Sequence, residues 1–114
     1  MKAEDVAAMM EETALPYAYY QFPEGTGQEP PFLCYYYTDD VDLQADDRNY
    51  VKIRRIVIEL YTDEKDFVLE QRVEDTLDAH ELAYAKQETH LPSERMYMVI
   101  YQTSIVLERM EDNA

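Results

Sequence analysis

Residues 50–80, YVKIRRIVIELYTDEKDFVLEQRVEDTLDAH, change their hydrophobic period once, and that change decides the fold class. From Tyr50 to Tyr61 the apolar residues alternate, the period-2 pattern of a strand. Val51 and Ile53 share one face, whereas Ile56, Ile58 and Leu60 follow the other parity. A β-bulge at Arg54-Arg55 would produce that one-residue shift and would explain two adjacent arginines inside a strand. Thr62 or Asp63 then caps a helix that reaches about His80. Its stripe runs through Asp66, Leu69, Val73, Thr76, Leu77 and His80, with Phe67 flanking it.

Beyond this unit, residues 81–89 (ELAYAKQET) predict a strand, Leu91-Pro92 a turn, and residues 94–107 a long final strand. In that last strand Tyr97, Val99, Tyr101, Thr103, Ile105 and Leu107 alternate with Met96, Met98 and Ile100. Before the unit, residues 3–13 predict a helix with Val6, Met9, Met10 and Thr13 on one side, stopped by Pro16. Acids at its start suit the helix dipole; Glu11 and Glu12 at its end do not. Aromatic strands are expected at Tyr17 to Phe22 and at Phe32 to Tyr37, separated by a loop (residues 23–31) holding three prolines and both glycines. Residues 38–49 (TDDVDLQADDRN) read as a long acidic loop or ribbon tip. The predicted order is α-β-β-β-α-β-β: an α+β fold with a single mixed or antiparallel sheet and two helices packed on it. One domain spans residues 1–114, with a flexible acidic C-terminus from about 110.

Twenty-five acidic residues stand against ten basic ones, a formal charge of -15, in a chain that is 46% hydrophobic and has eleven tyrosines. Such a charge often marks disorder, but this apolar content supplies enough surface to bury. The charge therefore belongs to an ordered surface: a polyanion mimic, a wall that repels DNA, or a solvated face. It argues against direct nucleic-acid binding and against attraction to anionic membranes. The first fifteen residues are acidic and lack an apolar core, so no secretory leader is expected, and no apolar run is long enough to span a bilayer. Cys34 is single, fits a reducing compartment, and reads as a buried strand thiol rather than a nucleophile.

Catalytic chemistry finds little support. Ser93 and Ser104 lack a nucleophile-elbow context, and His80 and His90 fall at a helix end and a turn. Zinc-ligand spacing is missing, and no cofactor is expected. Asp39, Asp40, Asp42, Asp46 and Asp47 supply hard oxygen ligands, but without the glycine turn and terminal glutamate of a calcium loop; no specific metal site is assigned. Gly25 and Gly27 lie between prolines and strands, not in a phosphate cradle. Tyr17, Tyr19, Tyr35, Tyr37 and Tyr97 read as cross-strand and rim residues, or as part of a subunit interface.

Three stretches, LPYAYYQFPEGTGQEPPFLCYYY, YVKIRRIVIELYTDEKDFVLEQRVEDTL and SERMYMVIYQTSIVLE, carry a resemblance over about 90 residues. In order and character they resemble tail terminators, the tail-completion or minor tail-neck proteins of siphophages and prophages of Gram-positive bacteria. The shared features are Leu15-Pro16, Pro30-Pro31 before an aromatic strand, Ile58 to Asp63 leading into an acidic helix, and Glu94 with Tyr97. The resemblance implies a structural, non-enzymatic protein of the virion tail and neck, assembled in the host cytoplasm. It also implies a homo-oligomeric ring, hexameric in that family, that contacts the major tail tube protein and a neck or head-completion protein. In such a ring Asp39, Asp40, Asp42, Asp46 and Asp47, with Tyr35 and Tyr37, are the interface or lumen candidates, and carboxylates along the bore would repel passing DNA. Neighbouring head–tail connector or head-closure proteins share the small α+β character and form the alternative. So does an acidic DNA mimic that inhibits a host nuclease, although here the acids are spread over helices, loops and tail rather than along one stripe.

Overall fold

A computed structural model describes residues 1–45 and 48–107. Asp46, Asp47 and the acidic end from about 110 lie outside the described residues. The chain runs α1 (Ala3–Glu12), β1 (Tyr17–Tyr19), β2 (Phe32–Asp40), β3 (Leu43–Ala45), β4 (Arg48–Val51), β5 (Ile53–Thr62), α2 (Phe67–Ala79), β6 (Tyr84–Leu91) and β7 (Met96–Val106). Five strands form one mixed sheet in the order β1-β2-β5-β7-β6. β1 is parallel to β2, and the other pairs are antiparallel. The α+β class and the two helices are those the hydrophobic periods predict. The acidic stretch after β2 is the ribbon of the two alternatives: β3 and β4 pair with each other as a separate two-stranded sheet.

Both helices bury the same sheet face. Val6, Met9 and Met10 of α1 and Val73 and Leu77 of α2 join Leu33, Tyr35, Ile56, Ile58, Leu60, Val99, Tyr101 and Ile105 in one buried cluster. These strand residues share one parity in each strand, as a half-covered sheet requires. The opposite parity, Phe32, Tyr36, Glu59, Tyr61, Met98 and Ile100 among it, belongs to the face turned away from α1 and α2.

Both helices end without glycine. α2 closes in a Schellman motif, with Leu82 N–H bonded to Leu77 O at 3.0 Å, Glu81 N–H to Asp78 O at 2.9 Å, and Glu81 at φ 57°. α1 ends similarly at Ala14, φ 60°. The unfavourable acids there are met from the neighbouring helix: His80 Nε2 lies 2.7 Å from Glu12, and Arg72 donates to Thr13 O at 3.3 Å.

Two local expectations need correction. The helix cap is Asp66, whose carboxylate accepts from Leu69 N–H at 3.0 Å, not Thr62 or Asp63. Thr62 still belongs to β5, and Lys65 is held by Glu70 and Glu88 before the helix begins. Nor is there a bulge at Arg54-Arg55, because β5 pairs with β7 without a break from Ile53 to Thr62. The irregularity sits across the ladder in β2, between Tyr37 and Asp40. The parity change arises because Arg54 occupies the helix-side parity beyond Ile56, where its guanidinium lies 5.2 Å from the Tyr37 ring.

Candidate functional site

Of the residues singled out in the sequence, Tyr35, Tyr37, Asp39 and Asp40 fall along β2 and Asp42 at the base of the ribbon, while Asp46 and Asp47 lie outside the described residues. Tyr35 is buried in the core, with Tyr19 edge-on at 5.3 Å, and Tyr37 is half-buried with Tyr19 at 5.5 Å. Tyr17 is 6.4 Å from Tyr35, so Tyr17, Tyr19, Tyr35 and Tyr37 form one ladder on the helix-side parity. Burial raises the Tyr35 and Tyr37 phenols above their ordinary range, so they remain neutral donors.

Asp39 and Asp40 are not bare charges. Asp40 accepts two hydrogen bonds from Arg54, at 2.8 and 3.4 Å, and these hold its carboxyl below the usual range. Asp39 lies 3.8 Å from Arg55. Asp42 accepts from Ile53 N–H at 3.1 Å, and Val41 N–H bonds Ile53 O at 2.8 Å, so the ribbon leaves the sheet at a closed base. The two arginines thus oppose the carboxylates at the root of the acidic stretch.

Sequence reasoning passed over two constellations. The first is a charged network between α2 and the β6–β7 edge. Glu70, with a side chain only 4% exposed, lies 2.7 Å from Lys65 and 2.9 Å from Lys86. Lys86 also reaches Glu74 at 2.9 Å, which accepts from Tyr101 Oη at 2.8 Å and Tyr84 Oη at 3.3 Å. Burial works against both lysine ammonium groups, but their carboxylate bonds win and raise both pKa values. Tyr101, fully buried, is raised by burial and by Glu74. Every charge in this network has an opposite partner, which suits a fold determinant better than a reactive site.

The second constellation lies on the sheet face turned away from the helices. Residues of the 20–31 loop, with Phe32, Cys34 and Tyr36 of β2 and Glu59 and Tyr61 of β5, line an open cavity of about 560 Å³. The loop turns at Gly25 and Gly27, at φ 82° and 63°, values that other residues adopt only with strain. Phe32 stacks on Tyr61 at 4.9 Å, Phe22 stands edge-on to Phe32 at 5.2 Å, and Tyr20 lies 5.4 Å from Tyr36. Glu59 is the carboxylate among the lining residues, and it accepts from Tyr61 Oη at 2.9 Å and Tyr36 Oη at 3.3 Å. The sequence signal was the lone acid in IVIELY, an ionisable side chain inside an otherwise apolar strand.

Cys34 also lines this cavity, and burial, with Glu59 adding to it, pushes its thiol up to about 11. At pH 8 the thiolate fraction is therefore on the order of 0.1%, and the thiolate is the reacting species. Alkylation of native protein by iodoacetamide at pH 8 should run at least about 10-fold slower than in 6 M guanidinium chloride. Equal rates would mean that Cys34 is neither buried nor perturbed.

Among the described residues, no His, Cys, Asp or Glu group of three converges as metal ligands would, and no helix is long and apolar enough to cross a membrane. In comparison with known proteins, no family model matches this chain, and no curated protein matches it.

Proposed function

We propose that this chain is a structural subunit of a siphophage tail terminator, closing as a homo-oligomeric ring on the tail tube and meeting the neck at the virion's head–tail junction. The observation that carries the reading is the β3–β4 ribbon. A two-stranded ribbon is marginal alone in water, and this one pairs with no strand of the main sheet. A neighbouring subunit that receives it would supply the missing packing, and repetition of that contact around an axis gives a closed ring. The sheet face turned away from the helices, with Phe32, Tyr61, Met98 and Ile100 on it, offers a receiving surface of the aromatic and methionine-rich kind common at interfaces. The formal charge of -15 per subunit supports the steric and electrostatic role. Around a bore it repels DNA phosphates, so the strand passes without sticking.

The same charge opposes association, and screening should relieve it. Light scattering over a range of protein concentrations, with and without magnesium, tests the proposal. A hexameric mass that rises with magnesium, with rings in negative stain, is the expected result. A monomer or dimer under every condition would remove spontaneous ring formation, and inhibition of a nuclease by that monomer would favour the DNA mimic instead.

A further inference from the structure

We infer that the cavity beneath the 20–31 loop is a binding site for a guanidinium group, the side chain of an arginine presented by a protein partner. The inference does not depend on the ring. It rests on what surrounds the cavity and on what Glu59 lacks.

The walls carry aromatic rings. Phe22, Phe32, Tyr36 and Tyr61 bring aromatic rings within 4.9–5.4 Å of one another or of Tyr20 around the space. A planar guanidinium stacks on such rings and is attracted by their negative faces. Glu59 lies among them as a carboxylate with about four acceptor sites, of which the two tyrosine hydroxyls use two. Among the described residues, no Lys, Arg or His pairs with it, whereas Glu70 and Glu74, the carboxylates buried between α2 and the β6–β7 edge, each have a basic partner. The molecule thus supplies the cation itself at those places and leaves it out at this one. Burial raises both tyrosine phenols, so they act as hydrogen-bond donors to Glu59 and fix its orientation rather than compete for the cation.

Shape and charge agree on the occupant. A cavity of about 560 Å³ exceeds the volume of one side chain and its stem but is small for a folded element. The field of a chain with a formal charge of -15 draws cations toward it and disfavours an anionic occupant. An aromatic wall with one fixed carboxylate also separates a guanidinium from a neutral urea of the same shape, because only the charged group gains from both features.

The test is a titration followed by amide NMR on the full chain, with N-acetyl-arginine methylamide and its citrulline counterpart as probes. The arginine probe should bind with a dissociation constant on the order of 1 mM, as its size allows. Its shifts should concentrate in residues 20–36 and 57–61. The citrulline probe, and the arginine probe against Glu59→Gln, should each bind at least about 10-fold more weakly. The amide oxygen of that variant still accepts a tyrosine bond, and the citrulline arm needs no variant, so a folding defect cannot mimic the result. Equal binding of the two probes, unchanged binding to Glu59→Gln, or shifts spread away from the cavity would each overturn the assignment.

Discussion

Tyr101→Ala is expected to destabilise the chain by about 3–5 kcal/mol, the range for emptying a large aromatic site in a packed core. Tyr101 is fully buried, sits in the single cluster shared by both helices, and has Tyr84 edge-on at 5.5 Å. Its hydroxyl is the second reason. It donates to Glu74 Oε2 at 2.8 Å, so truncation removes both a core aromatic and a donor that a partly buried carboxylate uses. Domains of this kind are stable by about 5–15 kcal/mol, so the loss threatens folding itself. Urea denaturation at pH 7 measures it. Tyr101→Phe separates the two contributions: it keeps the ring and should cost only about 1–2 kcal/mol. A Tyr101→Ala variant within about 1 kcal/mol of the parent would mean that the helices do not close on this residue.

The same pair of variants carries a pH signature. Burial works to raise the Glu74 carboxyl, but Lys86, Tyr101 and Tyr84 outweigh it and hold the group below its ordinary 4.5. A carboxyl lowered on folding contributes fully above its unfolded value and loses that contribution as pH falls toward the folded one. Tyr101→Phe removes one of the groups that lower it, so its stability should fall less steeply than the parent's below about pH 4.5. Relief of the overall negative charge runs the other way on acidification, but acts on both proteins alike and cancels in their difference.

What the sequence made legible was whatever depends on period. Alternation in residues 94–107 and in 56–60 identified the core parity, and the i, i+3, i+4 stripe through Leu69, Val73 and Leu77 identified α2, because each pattern reflects burial on one face. Cap choice was less legible: Asp63 and Asp66 are chemically equal as caps, and the decision rests with Lys65, which is drawn to Glu70 and to Glu88 on another strand. The supposed bulge failed for a related reason. Both arginines could be assigned to a strand defect in one dimension, whereas Arg54 answers to Tyr37 and Asp40 across the ladder. The cavity around Glu59 was illegible because it is assembled from residues 20–36 and 59–61, and no spacing rule links a proline-rich loop to a strand roughly 30 residues later. Of the acidic stretch, the sequence showed the charge but not its partial neutralisation by Arg54 and Arg55.

Removing the ribbon should abolish assembly while leaving the domain folded. Val41 N–H bonds Ile53 O at 2.8 Å, so these residues already face each other as the closing pair of a hairpin. Deleting residues 43–51 together with Lys52→Gly leaves Val41 and Ile53 joined by Asp-Gly, the two-residue loop whose positive φ values match the twist of flanking strands. Among the residues of 41–53 whose burial is described, none belongs to the buried cluster. Among the described residues, the backbone bond put at risk runs from Leu107 N–H to Lys52 O at 2.9 Å, which sets the expected cost at about 1 kcal/mol. Urea denaturation should therefore find the shortened chain nearly as stable as the full one. Light scattering, at concentrations and magnesium levels where the full chain forms rings, should find it monomeric. The deletion removes Asp46 and Asp47 together with Arg48, and Lys52→Gly removes a second cation, so the formal charge stays at -15 and repulsion between subunits is not strengthened. Loss of assembly at unchanged net charge would identify the ribbon as the contact that holds neighbours together. A shortened chain that assembles as well as the parent, or better, would show instead that the ring closes through another surface.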